Sequence, residues 1–358
     1  MYVKRRVREP PLIKVILIPF IVYTILVFSG IFLILCLGGY DLRDIVSIFT
    51  DINTLASSSV VRYMVVISLL SLALVINTAG GFMNLGAEGQ IAIASLGILI
   101  ASVYNLGTLS AVFLAMVFAL IWSLIPYLMK IYYGGSDVLI SFIMNFIALF
   151  TMNHIVSNVF RGDIARPRSP PITNIDLHYM SGEGYVASLL NRISIESMIA
   201  LVVSVIFIYI LLTKMRIGYS LRMLGYSPRT ASLSGVNIPA YMIINLIISS
   251  ILISLVSLEL IVGSDRRVNY NEYARIGIGS VSFGIGYSAL SIALLSVGQV
   301  FITLIYSYMF AVGYMIVFSL YGFYRLILGT AIVGLSLLSA LISELILRYE
   351  VKFNWFSK

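Results

Sequence analysis

The chain has 358 residues, of which 60% are hydrophobic and 11% charged, and its mean hydropathy is +1.03. A soluble domain is roughly 45–50% apolar and about 25% charged, so this apolar excess excludes an ordinary soluble fold and places the chain in lipid. The formal net charge of +8 does not argue for nucleic acid, because the Lys and Arg residues sit at the ends of apolar runs and no nucleic-acid-binding motif accompanies them. The single cysteine, Cys36, can form neither an intrachain disulfide nor a zinc site.

A bilayer core of roughly 30 Å needs about 20 apolar residues in a helix, and backbone groups in lipid must be satisfied internally. The apolar runs lack the alternation of a membrane barrel. They predict an all-α polytopic membrane protein with about ten transmembrane helices, in a single domain covering residues 1–358. The first run, Val15–Leu37, follows a basic start and is too long for a removed signal, so it reads as a retained span. The others lie near Tyr63–Thr78, Ile91–Tyr104, Leu109–Met129, Val138–Val159, Ile195–Leu212, Tyr241–Val262, Ile285–Val297, Val300–Leu320 and Leu326–Leu347. Ile91–Tyr104 and Ile285–Val297 are short and glycine-flanked, as broken or re-entrant segments are.

Basic residues set the expected orientation. The N-terminal stretch 1–14, the loop 214–239 (Lys214, Arg216, Arg222, Arg229, with no acid) and the tail fall on one side, which the positive-inside rule makes cytoplasmic. Residues 161–194 and the polar stretch Asp41–Arg62 fall on the other. The prolines Pro167, Pro170 and Pro171 suggest that 161–194 is a folded cap despite its arginines.

No phosphate-binding loop and no His-Glu-x-x-His run is present, so neither ATP binding nor metalloprotease chemistry is expected in this chain, and no metal site. The residues 77–90 hold four glycines within ten positions, each about 1 kcal/mol less helix-favouring than alanine, and carry Asn84, Glu88 and Gln90 between two apolar runs. Such a break is tolerated at membrane depth where it is buried in protein or lines a cavity. It reads equally as a path element or as a polar turn at the membrane surface. After Gly134, Gly135 and Asp137, the residues Ser141, Asn145 and Asn153 share one helical face, which suits a polar path or glue between helices. In Leu221–Val236, Ser227 is a candidate N-cap and Pro228 suits the first helical position of a short helix through Leu233, ended by Gly235. This loop is either a solvated connector or a docking element.

Three stretches carry a family resemblance, in order and with agreeing spacing. Met83–Asn84–Leu85–Gly86–Ala87–Glu88–Gly89–Gln90 resembles a Phe-Asn-Ile-Gly-Ala-Glu-Gly-Gln motif. Ser136–Asp137–Val138–Leu139–Ile140–Ser141 through Asn145 resembles Asn-Glu-Val-Ile-x-Thr-x-Met-Leu-Asn. Leu221–Arg222, Gly225, Pro228–Arg229, Ala231 and Gly235–Val236–Asn237 resemble a Leu-Arg-Ala-Val-Gly-x-Asn-Pro-x-Ala-Ala-x-x-Ala-Gly-Ile-Asn loop. All three are motifs of the permeases of ABC importers in the branched-chain amino acid, ribose and nucleoside class, and the chain looks closest to the nucleoside branch. The late segment from Arg275 to Gly298 follows the family only loosely and lacks its usual proline.

The resemblance implies a permease subunit, not itself an enzyme, in the cell membrane. It would import a small polar solute, a nucleoside or simple sugar. It implies a translocation path with Asn84, Glu88, Gln90, Asp137, Ser141 and Asn145, and an ATPase-coupling loop with Arg222, Gly225, Pro228, Arg229, Ala231 and Gly235. Implied partners are ABC ATPase subunits carrying the ATP and Mg, a second permease (a sister subunit or a second copy), an extracytoplasmic solute-binding protein and membrane lipid, with no cofactor in this chain. A secondary carrier driven by an ion gradient is the competing expectation.

Overall fold

A computed structural model describes residues 2–5, 11–37, 57–163, 167–180, 185–270, 279–296, 298–318 and 323–352. Most of the polar stretch Asp41–Arg62, and the segment around Arg275, therefore lie outside the described residues. The helices are α1 (Leu12–Leu37), α2 (Ser58–Ala79), α3 (Ala87–Val103), α4 (Gly107–Tyr133), α5 (Asp137–His154, continued by a π turn at Ile155–Val159), α6 (Tyr185–Leu190) and α7 (Ile195–Lys214). They continue as α8 (Arg216–Tyr226), α9 (Pro228–Leu233), α10 (Ile238–Val262), α11 (Ile285–Leu295), α12 (Val300–Phe318) and α13 (Phe323–Arg348). Two short strands, β1 (Tyr2–Arg5) and β2 (Tyr349–Lys352), pair antiparallel. Apart from that ribbon the architecture is all-α.

The helices begin and end where the sequence chemistry changes. Ser57, Ser136 and Ser194 cap α2, α5 and α7, each accepting a bond from a backbone N–H three residues on. Gly134 closes α4 in the left-handed region at φ 64°. Within the described residues five helices are long and apolar enough to cross a membrane: α2, α4, α5 with its π turn, α7 and α10. Shorter apolar stretches lie in α1, α3, α11, α12 and α13. The ten predicted spans each coincide with one of these helices.

At the centre lie α2 and α10, the most buried of the long helices. Around α2 pack α10, α11 and α12, while α3 lies against α4 and α5, and α1 against α13. Small residues allow the closest approach: a methyl on Gly97 of α3 would stand 2.8 Å from the Ala115 nitrogen of α4. Ala111, Ala115 and Ala119 are fully buried along the same seam. Without a hydrophobic drive between helices in lipid, such backbone proximity supplies the packing energy.

The two ends of the bundle are distinct. Residues 80 and 81, just past α2, meet Leu221 and Gly225 of α8. The start of α2 lies at the other end, where Tyr63 stacks on Tyr314 near the end of α12. The start of α12 therefore points back toward α8, and there Tyr306 donates to the Ile16 carbonyl of α1. The terminal ribbon and the α8–α9 loop thus share one end. At the opposite end the predicted cap is folded: Ser169 N–H donates to Val268 O at 2.9 Å, Ile172 N–H to Arg266 O at 2.8 Å and Tyr270 N–H to Pro167 O at 2.9 Å.

Candidate functional site

The break between α2 and α3 buries its polar side chains inside the bundle, while Met83 within it is 43% exposed. Asn84, Glu88, Gln90, Ser141 and Asn145 are all almost wholly buried. The structure brings them into one layer, and most of their polar atoms face backbone groups that the broken helix would leave without partners. Ser141 Oγ accepts from Leu85 N–H at 3.0 Å, and Asn145 Oδ1 accepts from Gly89 N–H at 2.8 Å. The Asn145 amide donates to Leu85 O at 2.8 Å and to the Tyr287 hydroxyl at 3.1 Å. Asn84 accepts from Gly86 N–H and donates to Gln90 Oε1 at 3.0 Å. Ser141 and Asn145 of α5 thus supply hydrogen bonds that water cannot supply in lipid.

Asp137 sits at the edge of this layer nearest α8. Its Oδ2 accepts from Met83 N–H at 2.9 Å and from Lys130 Nζ at 2.7 Å, and the same ammonium donates to Gly81 O at 2.6 Å. One ion pair thus ties α4 and α5 to the glycine turn.

Glu88 stands in the first turn of α3 and is fully buried. A charged group inside a span costs about 2.5–3.5 kcal/mol on insertion scales. Here four donors surround it. Gly279 N–H and Gly284 N–H approach Oε1 at 2.8 Å, Ser282 Oγ approaches it at 2.5 Å, and Gly286 N–H approaches Oε2 at 2.9 Å. Three donors lie at or before the start of α11, so the carboxylate also meets a positive helix end. There is no room for side chains between them: a methyl on Gly286 would stand 2.6 Å from the Glu88 nitrogen. The segment 279–284 is thereby drawn into the bundle as a re-entrant turn, which accounts for the shortness of α11.

The second group of predicted residues forms the α8–α9 loop. Ser227 caps α9 by accepting from Thr230 N–H at 3.3 Å, Pro228 opens the helix, and Gly235 follows it at φ 81°. Ala231 is buried with Phe82, Tyr127, Leu224, Met242 and Leu246 in a small core of its own. Arg222, Gly225, Pro228, Arg229 and Gly235 are exposed, and so are the apolar Tyr226 (88%) and Leu233 (84%). Among the described residues no ion pair holds Arg222 or Arg229.

The sequence reading missed a third cluster, at the end away from α8. Glu259 of α10 is fully buried and binds Arg62 Nε at 3.2 Å, Ser194 Oγ at 2.6 Å and Ser197 Oγ at 2.8 Å, while Arg62 Nη2 donates to the Glu259 carbonyl. It joins α2, α7 and α10. The signal was available, since Glu259 is an acid inside an apolar span, as Glu88 is. The partners of Glu88 in 279–286, Tyr287 and Lys130 were also missed.

Comparison with known proteins places the chain among transport permeases. The family model described as "Branched-chain amino acid transport system / permease component" matches residues 56–341. The chain is 23% identical over 282 residues to the guanosine ABC transporter permease protein NupP of Bacillus subtilis (strain 168), covering 74% of each chain. It is 21% identical over 202 residues to the nucleoside ABC transporter permease protein NupB of Lactococcus lactis subsp. cremoris (strain MG1363), covering 55% of this chain and 53% of that protein. No solved structure matches.

Proposed function

Because the chain belongs to the branched-chain amino acid transport system permease family, a family of multi-pass membrane transport proteins, we propose that it is one membrane-spanning subunit of an ATP-driven importer for nucleosides. The observation that carries the ATP-driven part is the α8–α9 loop. It presents Tyr226, Leu233 and two arginines, without ion-pair partners among the described residues, to solvent, on a helix pair anchored by the buried Ala231 and Leu224. Rigid apolar anchors ringed by charge are what a protein–protein contact uses. An ABC ATPase on the cytoplasmic face is the partner, and it carries the ATP and Mg. The nucleoside part rests on the relatives' names.

In this reading the glycine turn transmits the loop's motion. Gly225 abuts residues 79–81, and the layer of Asp137, Ser141, Asn145, Asn84, Gln90 and Glu88 carries displacement from there to α3, α5 and α11. These six residues frame the wall of the translocation path. A second permease subunit, sister or self, completes the path, and a solute-binding protein docks on the cap. The chain itself performs no covalent chemistry.

The test is a mild-detergent pull-down of the tagged chain from its native membrane, with all co-purifying proteins identified. A nucleotide-binding ATPase is expected, together with a second permease. A chain that purifies alone and still moves solute in vesicles without ATP would instead be a secondary carrier.

A further inference from the structure

The re-entrant turn holds one aromatic residue in a conformation unfavourable to it. Phe283 lies in the left-handed region at φ 49°, and Gly284 follows at φ 86°. A bulky side chain at such an angle persists only where its surroundings impose it. The imposing group is Glu88, which takes the N–H groups of Gly279, Gly284 and Gly286 on both sides of Phe283. Phe283 N–H in turn closes the turn onto Gly279 O at 2.9 Å. The Phe283 side chain is 41% exposed.

Phe283 borders a small cavity of about 40 Å³ together with Tyr63, Arg62 and Ser264. The cavity lies at the end of the bundle away from α8, beside the Arg62–Glu259 ion pair. Arg62 and Ser264 give it a polar edge beside the apolar Val66, Leu260 and Val281. The Tyr63 ring is backed by Tyr314, with ring planes 11° apart. Strained backbone of this kind gathers where a ligand is clamped.

We propose that Tyr63 and Phe283 form an aromatic subsite that stacks on the nucleobase of the solute as it enters from the cap end, an inference that rests on the nucleoside reading above. Every base offers a flat π face, and aromatic side chains bind that face with little regard to the base's edge. The cavity as it stands is smaller than a base. A base therefore enters by turning the Phe283 ring aside, while Glu88 keeps the backbone of the turn in place and so acts as its positioning residue.

Phe283→Gly separates function from folding, because glycine adopts positive φ without steric cost. The complete complex, in proteoliposomes with its binding protein and ATP, is assayed for uptake of a purine and a pyrimidine nucleoside at concentrations well below saturation. The melting temperature of the purified complex is recorded alongside. Phe283→Gly is expected to melt at or above the wild-type temperature and to move the purine nucleoside about tenfold more slowly, with a smaller loss for the pyrimidine. Phe283→Tyr is expected to restore both rates. Wild-type rates in Phe283→Gly, or equal losses for both nucleosides with a lowered melting temperature, would overturn the subsite while leaving the importer reading intact. A wild-type complex that takes up no nucleoside would overturn the nucleoside reading itself and this inference with it.

Discussion

A single amide shows how the polar residues of this bundle are used. Asn145 makes one bond to Gly89 N–H, one to Leu85 O and one to Tyr287, and in lipid none of these groups has water as an alternative partner. Asn145→Ala leaves a backbone N–H and a carbonyl buried and unpaired, at roughly 1–3 kcal/mol for each such group. The expected outcome is a clearly lower melting temperature of the purified complex in detergent, with a parallel fall in uptake. An unchanged melting temperature would show that the break between α2 and α3 does not depend on α5. The sequence pointed to this residue, because Ser141, Asn145 and Asn153 recur at helical spacing and local periodicity is visible in one chain. It left open whether that face lined a path or joined helices; the structure shows Ser141 and Asn145 bonded across to the break and to Tyr287. The sequence could not show what Glu88 meets, since its donors lie some two hundred positions further on and only tertiary packing brings them together.

Among the elements, the α8–α9 pair was the most legible. Its cap at Ser227, the opening proline and the closing glycine are all set by neighbours within a few residues, and all three stand where local rules put them. Its contact with the glycine turn was not legible, because that contact depends on two glycines brought together from distant parts of the chain. A methyl on Gly225 would overlap the Ala79 carbonyl, and one on Gly81, already at φ 73°, would stand 2.9 Å from the Gly225 Cα. The pair therefore touches backbone to backbone, which is a stiff way to pass a displacement into α2 and α3. Gly225→Ala is expected to leave membrane abundance near wild type while raising the ATP hydrolysed per solute several-fold. Arg222→Glu, at an exposed position, is expected to remove uptake by weakening ATPase docking without loss of abundance. Measured coupling ratios equal to wild type in both variants would take the transmitting role away from this loop.

At the level of the whole molecule, hydropathy placed a helix at each of the ten apolar runs, five of them long and apolar enough to cross a membrane among the described residues. Depth was harder to read. The turn 279–284 enters the bundle only because Glu88 draws it there, and the Arg62–Glu259 cluster closes the same end through three helices. The expected direction in which the bundle is inserted follows from charge. The segment 213–240 carries four basic residues and no acid, whereas two arginines of the cap stand beside acids: Arg168 with Asp163, and Arg266 with Asp176. Short loops with unopposed Lys and Arg stay cytoplasmic, and long folded segments cross largely regardless of charge. The α8–α9 end should therefore face the cytoplasm and the cap the outside. Cys36 is the chain's one cysteine, so Cys36→Ser gives a clean background in which Ser232→Cys reports one end and Ser264→Cys the other, both at exposed positions. A membrane-impermeant maleimide applied to intact cells is expected to label Ser264→Cys at once, and Ser232→Cys only after the membrane is opened. The reverse pattern would place the loop outside, where no cytosolic ATPase could reach it, and would remove the physical basis for ATP-driven import through α8 and α9.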